Sequence, residues 1–276
     1  MKKLWAAALT LAMVLALTGC GTQKPTDSGP AAGYTPDEGY TLGAGDVVQL
    51  NGFRSIDIEW VSGSVSVELY DGEGIELREA LSDGGAVTQK MEWRVTEDQN
   101  MLDIRSQPRQ TGVTEEKHLT VKLPRSLVLY ELDIETVSAA VSVDLTDEDT
   151  LTLSELDVTS VSGTVSVNAA NAGEISLSTT SGDIRGSVRT QKLEADSVSG
   201  SIDLALDIMP AEVEMETTGG SITLGLREAI VPPSPLPVAF KTTSGTFSCA
   251  PAYTPAKDAA WEFDTVSGDV TINVVK

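Results

Sequence analysis

One fourteen-residue pattern recurs eight times in this chain and constrains its fold more than any other feature. Each copy is a short alternating run, a Thr/Ser-Val/Thr-Ser-Gly string, one variable residue and a second alternating run, as in LEADSVSGSIDLAL. The copies begin at Ile56, Leu132, Leu156, Ile175, Leu193, Val213, Val238 and Trp261. Their glycine positions are separated by 76, 24, 19, 18, 20, 25 and 23 residues, and the nearly regular central spacing indicates a structural repeat.

Alternation within each copy predicts two short strands. In the copy from Leu193, Leu193 and Ala195 share one face before the string, and Ile202 and Leu204 share one after it. The interval from Ser199 to Ile202 is odd, so straight alternation would put Ile202 on the wrong face. The chain must therefore turn at Ser-Gly, where we expect glycine to adopt a positive φ and the serine hydroxyl to bond nearby backbone.

The corner glycines of the repeat form one column of equivalent positions. They are Gly63, Gly163, Gly182, Gly200, Gly220, Gly245 and Gly268, with Ala139 in the second copy. A unit of two strands and two turns cannot bury its apolar face alone, so the copies must stack. We predict an all-β fold, a β-solenoid-like stack of two-strand repeats with a Ser-Gly corner; the alternative is a β-sandwich or meander.

The predicted repeat region spans residues 131–276, and residues 46–130 form a less regular β region that caps the stack. Within this cap, residues 91–104 resemble a hairpin, and residues 118–123 form a further strand. Because exposed β edges invite aggregation, a cap would shield the first coil. We expect the last coil, from Trp261, either to pack against an earlier strand or to pair with another molecule.

The N-terminus is predicted to be an export signal. Two lysines precede a 14-residue apolar run over residues 4–17, which is too short to span a membrane. The run ends in Leu17, Thr18, Gly19 and Cys20, which resembles the lipobox of bacterial lipoproteins. That resemblance implies removal of residues 1–19 and lipidation of Cys20; an ordinary secreted protein with a chance cysteine is the alternative.

Residues 20–45 comprise the lipidated cysteine and a flexible linker. This segment has no apolar periodicity and is rich in Gly, Pro, Thr and Ser. The expected location is the bacterial cell membrane, with the lipid-anchored protein facing the extracytoplasmic side. No internal disulfide is then possible, because Cys249 remains the only other cysteine; its alternating apolar context suggests a small core residue.

The charge balance excludes several classes of function. There are 41 Asp and Glu against 19 Lys and Arg, a formal net charge of −22, so we expect no nucleic-acid partner. One histidine and two cysteines leave little for histidine-based catalysis or a zinc site. Hydrophobic residues make up 41% of the chain, which is enough for a real core.

No catalytic residues, metal site or cofactor are predicted. A glycosidase would need two carboxylates at a fixed separation beside aromatic platforms. Acidic residues are instead predicted to lie in different columns of the repeat, at Asp157, Asp183, Asp203 and Asp269, while Trp60 and Trp261 fall at core-facing columns. His118 stands in a strand with no Gly-x-Ser-x-Gly elbow in the chain. The acidic segments 71–73 and 144–149 match no calcium-loop pattern. We therefore expect them to be solvated acidic surface, with at most weak and non-specific calcium binding.

The VSGxVxV and TTSGxI strings resemble the bacterial "putative adhesin" family of β-strand repeat proteins, a domain of unknown function. The resemblance covers about residues 46–276 and implies a β-solenoid-like fold in an envelope protein, with no catalytic residues to carry over. Ala139 departs from the repeated glycine, so that corner is expected to be opened or differently turned.

We therefore expect a non-catalytic, lipid-anchored envelope protein that presents a β-solenoid surface to an unknown envelope protein or glycan, as an adhesin or scaffold. Its membrane contact would run through the lipid on Cys20. The alternatives are an accessory protein of an envelope-stress or signalling system and, less favoured, a carbohydrate-active enzyme.

Overall fold

The computed structural model describes residues 39–43, 47–49, 54–96, 100–106, 116–145 and 153–276. All of them belong to one compact unit, Pro36–Gln107 with Glu115–Lys276. The predicted signal peptide, Cys20, the lipobox residues and residues 20–38 of the linker lie outside the described residues. Within the described residues, no helix has the length and apolar character needed to cross a membrane.

The described unit is all-β, with strands numbered in chain order and a single 3-10 turn at Glu228–Ile230. The strands are β1 (Thr41–Leu42), β2 (Val47–Gln49), β3 (Ser55–Trp60), β4 (Gly63–Tyr70), β5 (Gly74–Leu81), β6 (Glu92–Thr96), β7 (Met101–Arg105), β8 (Lys117–Pro124), β9 (Glu131–Thr136), β10 (Ala140–Asp144), β11 (Leu153–Ser160), β12 (Val165–Thr179), β13 (Ile184–Ser197), β14 (Ile202–Leu206), β15 (Glu212–Thr217), β16 (Ile222–Arg227), β17 (Leu236–Thr242), β18 (Phe247–Cys249), β19 (Tyr253–Pro255), β20 (Trp261–Thr265) and β21 (Val270–Val275).

Each repeat contributes one strand to each of two pleated faces, and neighbouring repeats pair in parallel and in register. The face we call sheet A runs in the order β1, β6, β7, β3, β9, β11, β12, β13, β15, β20, β17, β19. The face we call sheet B runs in the order β2, β5, β8, β4, β10, β12, β13, β14, β16, β21, β18. The long strands β12 and β13 run through both, with their first halves in sheet B and their second halves in sheet A.

The core is a set of apolar columns formed by this register. Leu193 pairs with Ile175 on one side and Val213 on the other, and all three side chains are fully buried. In sheet B, Leu204 pairs with Leu224, and both are buried in the same way. Burying each such side chain contributes about 1.5–3 kcal/mol, which explains why period-2 alternation fixes the register.

Two hydroxyl positions organise most of the corners from Gly163 onward. The buried Ser or Thr three residues before the glycine accepts its N–H; Ser197 accepts from Gly200 at 2.8 Å, and Thr265 accepts from Gly268 at 2.8 Å. The motif serine donates to a carbonyl of the neighbouring coil, as Ser199 does to Thr180 at 3.2 Å. The expected serine-to-backbone bond is therefore confirmed, and it joins two coils rather than closing its own turn.

The reason for glycine at the corner differs from the expectation. Positive φ occurs at Gly63 (96°), but the other corner glycines do not adopt it, so that expectation was wrong for six of seven positions. Instead, the corners stack so closely that a Cβ at Gly200 would lie 1.8 Å from the carbonyl oxygen of Gly182. A Cβ at Gly268 would lie 1.6 Å from the carbonyl oxygen of Gly220.

The hydroxyl bonding at the Ala139 corner differs from that at the glycine corners that follow it. The neighbour of this corner in the stack is the first copy, whose corner glycine has the positive φ noted above, and the Ala139 side chain is fully buried. Here the Thr136 hydroxyl donates to the carbonyl of Ala139 at 3.2 Å and lies 3.0 Å from the hydroxyl of Ser160. The hydroxyl that accepts an N–H elsewhere thus acts as a donor in this coil.

Chain order and spatial order differ at both ends of the stack. The eighth copy, β20–β21, lies between the sixth copy, β15–β16, and the seventh, β17–β18. At the other end, β7–β8 forms an additional layer outside the first copy, β3–β4, which in turn pairs with β9–β10. The final coil therefore packs against earlier strands on both sides, as one of the two expected arrangements had it. The predicted antiparallel hairpin β6–β7 is confirmed.

Candidate functional site

The outward side of sheet A carries a grid of carboxylates. Because the strands pair in register, polar residues at equivalent positions form columns across the sheet. One column contains Asp103, Asp57, Asp133, Asp157, Ser176, Glu194, Glu214 and Glu262. The next contains Arg105, Glu59, Glu135, Thr159, Ser178, Asp196, Glu216, Asp264 and Lys241. Adjacent members are one strand spacing apart, about 4.8 Å.

Burial and crowding raise the pKa values of several carboxyl groups in this grid. Partial burial, together with the charges of Asp157 and Asp57, raises the pKa of Asp133 to about 8. Burial is also the first cause for Asp196, whose pKa rises to about 7 with neighbouring glutamates adding to the effect. The pKa of Asp57 and that of Asp157 rise to about 6 for the same two reasons. Some of these carboxyl groups are therefore protonated near neutral pH, and sheet A carries less negative charge than its composition suggests.

The four acids named from the sequence do lie apart, except that Asp183 and Asp269 occupy the same position after a corner glycine, but other acids converge with Asp157 on sheet A. Asp157 shares its column with Asp57 and Asp133. Asp203 lies in sheet B, and Asp183 and Asp269 follow corner glycines. The signal was present in the repeat strings, because the polar positions of IDIEW, LDIET, LEADS, VEMET and WEFDT are all acidic apart from the last residue of the motif.

The outward side of sheet B has a different chemistry. Its central column is dominated by hydroxyl side chains and contains Thr120, Ser66, Ser142, Ser166, Arg185, Asp203, Thr223, Thr271 and Ser248. Arg185 and Asp203 are register partners on adjacent strands, and both are exposed. Within the part of the chain that the structure describes, no ion pair involves either residue, so both exposed side chains are available to a ligand.

A shallow depression of about 320 Å³ lies on sheet B around these two residues. Its polar rim comprises Ser166, Asn168, Arg185, Asp203, Thr223 and Asn273. Small residues make its floor: Ala205 and Gly225 are register partners in the next outward column. The concavity exists because alanine and glycine stand on adjacent strands at positions where longer side chains would fill the space.

Gly186 introduces a backbone irregularity at the same place. It occupies a core column between Val167 and Leu204, yet its φ is +136° and it is partly exposed. A Cβ at this position would lie 1.8 Å from the carbonyl oxygen of Val167, so only glycine is accommodated. The register of β12 and β13 shifts a few residues further on, between Asn168 and Ala170. Such irregularities in strands often accompany functional sites.

The end of sheet A nearest the N-terminus contains a tightly bonded polar cluster. Tyr40 donates to Asp103, and its ring is contacted by the guanidinium groups of Arg94 at 4.3 Å and Arg105 at 3.8 Å. Burial, with the bond to Asp103, raises the pKa of Tyr40 to about 12. Arg105 also pairs with the fully buried Glu92 at 2.7 Å. The cluster fixes residues 39–43 against the hairpin and has a structural role.

The other residues considered from sequence have ordinary surroundings. Trp60 and Trp261 are buried, as core-facing residues. Cys249 is half-buried, and burial raises the pKa of its thiol. His118 lies between the hydroxyls of Ser64 and Ser82, each at 2.7 Å, so both ring nitrogens are bonded to hydroxyl groups. Among the described residues, no three metal-binding side chains converge; Asp71 instead pairs with Arg125.

Comparison with known proteins identifies the class to which this stack belongs. Residues 53–276 match the family model described as Toastrack DUF4097. Since the match covers most of the chain, the protein belongs to the Toastrack DUF4097 family. A search of curated proteins found no match.

Solved structures of bacterial proteins resemble the chain over most of its length. A putative adhesin from Bacteroides fragilis is 13% identical, covers 88% of this chain and 100% of its own, and has a TM-score of 0.46. A putative cell adhesion protein from Clostridium sporogenes is 13% identical, covers 86% and 99%, and has a TM-score of 0.42. A protein from Parabacteroides distasonis described as a putative lipid binding protein is 12% identical, covers 87% and 98%, and has a TM-score of 0.43.

Proposed function

We propose that this protein is a non-catalytic, lipid-anchored module of the bacterial envelope, which uses a solenoid-like stack of strands to present a binding surface to a protein or glycan. The observation that carries the proposal is the separation of roles within each coil. Inward residues make a continuous apolar core, whereas outward columns carry exposed polar groups, among them the unpaired Arg185 and Asp203 beside a depression. A rigid scaffold with polar columns at fixed spacing is suited to recognition.

The solenoid part of the proposal is supported by the register of the central coils. From Leu156 to Leu226, each coil places one strand on each sheet and pairs with the next coil in parallel. A sandwich built from hairpins would instead pair strands of one repeat antiparallel to each other. The exchanged order at the two ends is a variation on this stacking, not a different principle.

The anchor is tested by replacing the predicted lipidated residue. Cys20→Ala should release the protein from the membrane fraction and abolish incorporation of labelled palmitate, because no other side chain in the lipobox can form the thioether. Cys249→Ala is the matched control and should stay membrane-bound and labelled. Full membrane retention of the Cys20→Ala protein would contradict the anchor.

The binding role is tested by photo-cross-linking in living cells. A photoreactive residue at Thr223, in the sheet B column, should capture an envelope protein or glycan, and one at Glu214, on sheet A, serves as comparison. Capture of a membrane component of a stress or signalling system would favour the accessory-protein alternative. Failure of both positions to capture anything above background would contradict a binding module.

A carbohydrate-active enzyme is the competing function with one observation in its favour, the convergence of acids on sheet A. These carboxylates lie side by side on a pleated surface, and Trp60 and Trp261 are buried rather than presented as sugar platforms. Glycosidases place their two carboxyl groups on opposite sides of the scissile bond. Hydrolysis of oligosaccharides by the purified protein, lost on Asp133→Asn, would overturn the non-catalytic proposal.

A further inference from the structure

We infer that the depression on sheet B binds an uncharged oligosaccharide chain that lies across the strands, parallel to the stack. This inference rests on the proposed binding function and names the ligand class for one site. The site is defined by the rim residues Arg185, Asp203, Asn168 and Asn273 and by the floor residue Gly225.

The arrangement of polar groups gives the direction of the ligand. Asn168, Ser187, Ala205, Gly225 and Asn273 occupy one outward column on five successive strands. With a strand spacing of about 4.8 Å, the two asparagines stand about 19 Å apart, with small residues between them. An elongated ligand lying along this column can therefore reach both amides while resting on the floor.

The charges at the site favour a neutral ligand. Arg185 and Asp203 face each other across one strand spacing and contribute opposite charges at the same register position. A strongly acidic glycan would also meet the negative potential of the whole molecule, whose formal charge is −22. Amides and hydroxyls both donate and accept hydrogen bonds, as sugar hydroxyls do, and a charged pair supplies the stronger bonds.

The strands beneath the depression argue against a peptide ligand. A peptide gains most from a sheet by adding at an edge, where backbone N–H and C=O groups are free. Here β13, β14 and β16 each pair on both sides within sheet B. A ligand on this face must therefore use side chains, which suits a polyhydroxylated chain better than an extended polypeptide.

Larger side chains at the floor positions would fill the depression. A Cβ at Gly225 would lie 3.0 Å from a methyl group of Val275, and Ala205 is the neighbouring floor residue. Extending the Ala205 side chain to leucine would fill the depression from the solvent side, while the core beneath remains unchanged.

The test uses the mature full chain on a glycan array that carries uncharged hexose and N-acetylhexosamine oligosaccharides alongside oligogalacturonates, followed by calorimetric titration of each hit. We expect binding to an uncharged oligosaccharide and at least about a tenfold increase in Kd for the Arg185→Ala/Asp203→Ala double variant, and a similar loss for Ala205→Leu. The matched control is Lys241→Ala/Asp264→Ala, which removes an exposed register pair of opposite charge from sheet A and should change Kd less than about twofold.

Three results would overturn the inference: binding to no uncharged oligosaccharide, preference for oligogalacturonate, or an affinity equally reduced by the sheet A control. Circular dichroism and thermal unfolding of each variant separate loss of the site from loss of the fold. Capture of a protein partner without any glycan binding would overturn the glycan site and leave the proposed binding module intact. Membrane retention of the Cys20→Ala protein would contradict the anchor and leave the glycan site intact.

Discussion

Sheets A and B are built by the same repeat with the same register, yet their outward faces differ in kind. Sheet A aligns Asp57, Asp133 and Asp157 in one column, where burial and mutual repulsion raise their pKa values. Sheet B aligns hydroxyl side chains such as Ser66 and Ser142 at the equivalent depth. The comparison teaches that the apolar columns determine the fold of each coil, whereas the outward columns can vary in chemistry. Charged outward columns destabilise the fold electrostatically, and neutral polar columns do not.

The largest effect is expected at the corner, which joins the two sheets and on which both depend. Gly220→Ala places a Cβ 1.9 Å from the carbonyl oxygen of Gly200, so coils must separate, and we expect a loss of at least about 3 kcal/mol in unfolding free energy. Gly219→Ala, one residue earlier, meets its nearest atom at 3.7 Å and should change stability by less than about 0.5 kcal/mol. Urea denaturation measures both; equal effects would contradict the close-stacking explanation.

The second effect is a pH dependence of the unfolding free energy that originates in sheet A. The pKa of Asp133 is about 8 in the folded protein and 3.8 as its ordinary value, so the folded state binds more protons between these pH values. Stability therefore falls as pH rises from about 4 to about 8. Asp133→Asn should remove part of this slope and raise stability at pH 8 by about 2 kcal/mol, after allowance for solvent screening.

The matched change on sheet B is Asp203→Asn, at an exposed position. It should change the unfolding free energy by less than about 0.5 kcal/mol, since Asp203 is exposed and faces Arg185 and a hydroxyl residue rather than a row of carboxylates. Thermal melts of both variants from pH 4 to pH 8 provide the measurement. A pH slope in the Asp133→Asn protein identical to that of the parent would remove the electrostatic distinction between the sheets.

A third effect, of comparable size, tests the buried hydroxyls at the ends of the sheet A strands. Thr217→Val keeps the volume but leaves the N–H of Gly220, now bonded at 3.1 Å, without its acceptor. We expect a loss of about 1–3 kcal/mol, the cost of an unsatisfied buried donor. Thr217→Ser restores the acceptor and should recover most of the difference in a chemical denaturation series.

The smallest effect is predicted for the outward column of sheet B. Thr271→Val keeps the β-branched shape and removes only an outward-facing hydroxyl, so the unfolding free energy should change by less than about 0.5 kcal/mol at any pH between 4 and 8. A loss as large as that at Thr217 would mean that the hydroxyl columns of sheet B are structural rather than available for binding.

Much of this architecture was predictable from the spacing of particular residues. Leu193, Ala195 and Ile202 were assigned to the core because alternation and the odd interval at the corner leave no other choice, and all three are buried. The acidic columns could also have been predicted, since register aligns Asp57 with Asp133 once the copies are superimposed. The acids singled out from the sequence, Asp157, Asp183, Asp203 and Asp269, come from strands and corners of the repeat, so their positions do not show this alignment.

Other features could not be predicted from one sequence. The place of β20–β21 between the sixth and seventh copies depends on which edges remain free after the preceding coils have formed, and the strings of the three copies are too similar to decide it. The depression needs Gly186, Ala205 and Gly225 on three different strands, so its existence depends on register that spans about 40 residues of chain. Close backbone stacking at Gly182 and Gly200 likewise involves atoms of two coils.

The exchanged order of coils has a mechanical consequence. In a stack that follows chain order, force applied to a terminal coil opens one interface, and the structure unravels layer by layer. Here both the first copy, β3–β4, and the eighth, β20–β21, have a paired layer on each side. Extracting either copy under tension requires the simultaneous rupture of its pairings to two neighbours. The two ends of the stack should therefore resist unfolding under force more strongly than ends that have one paired neighbour.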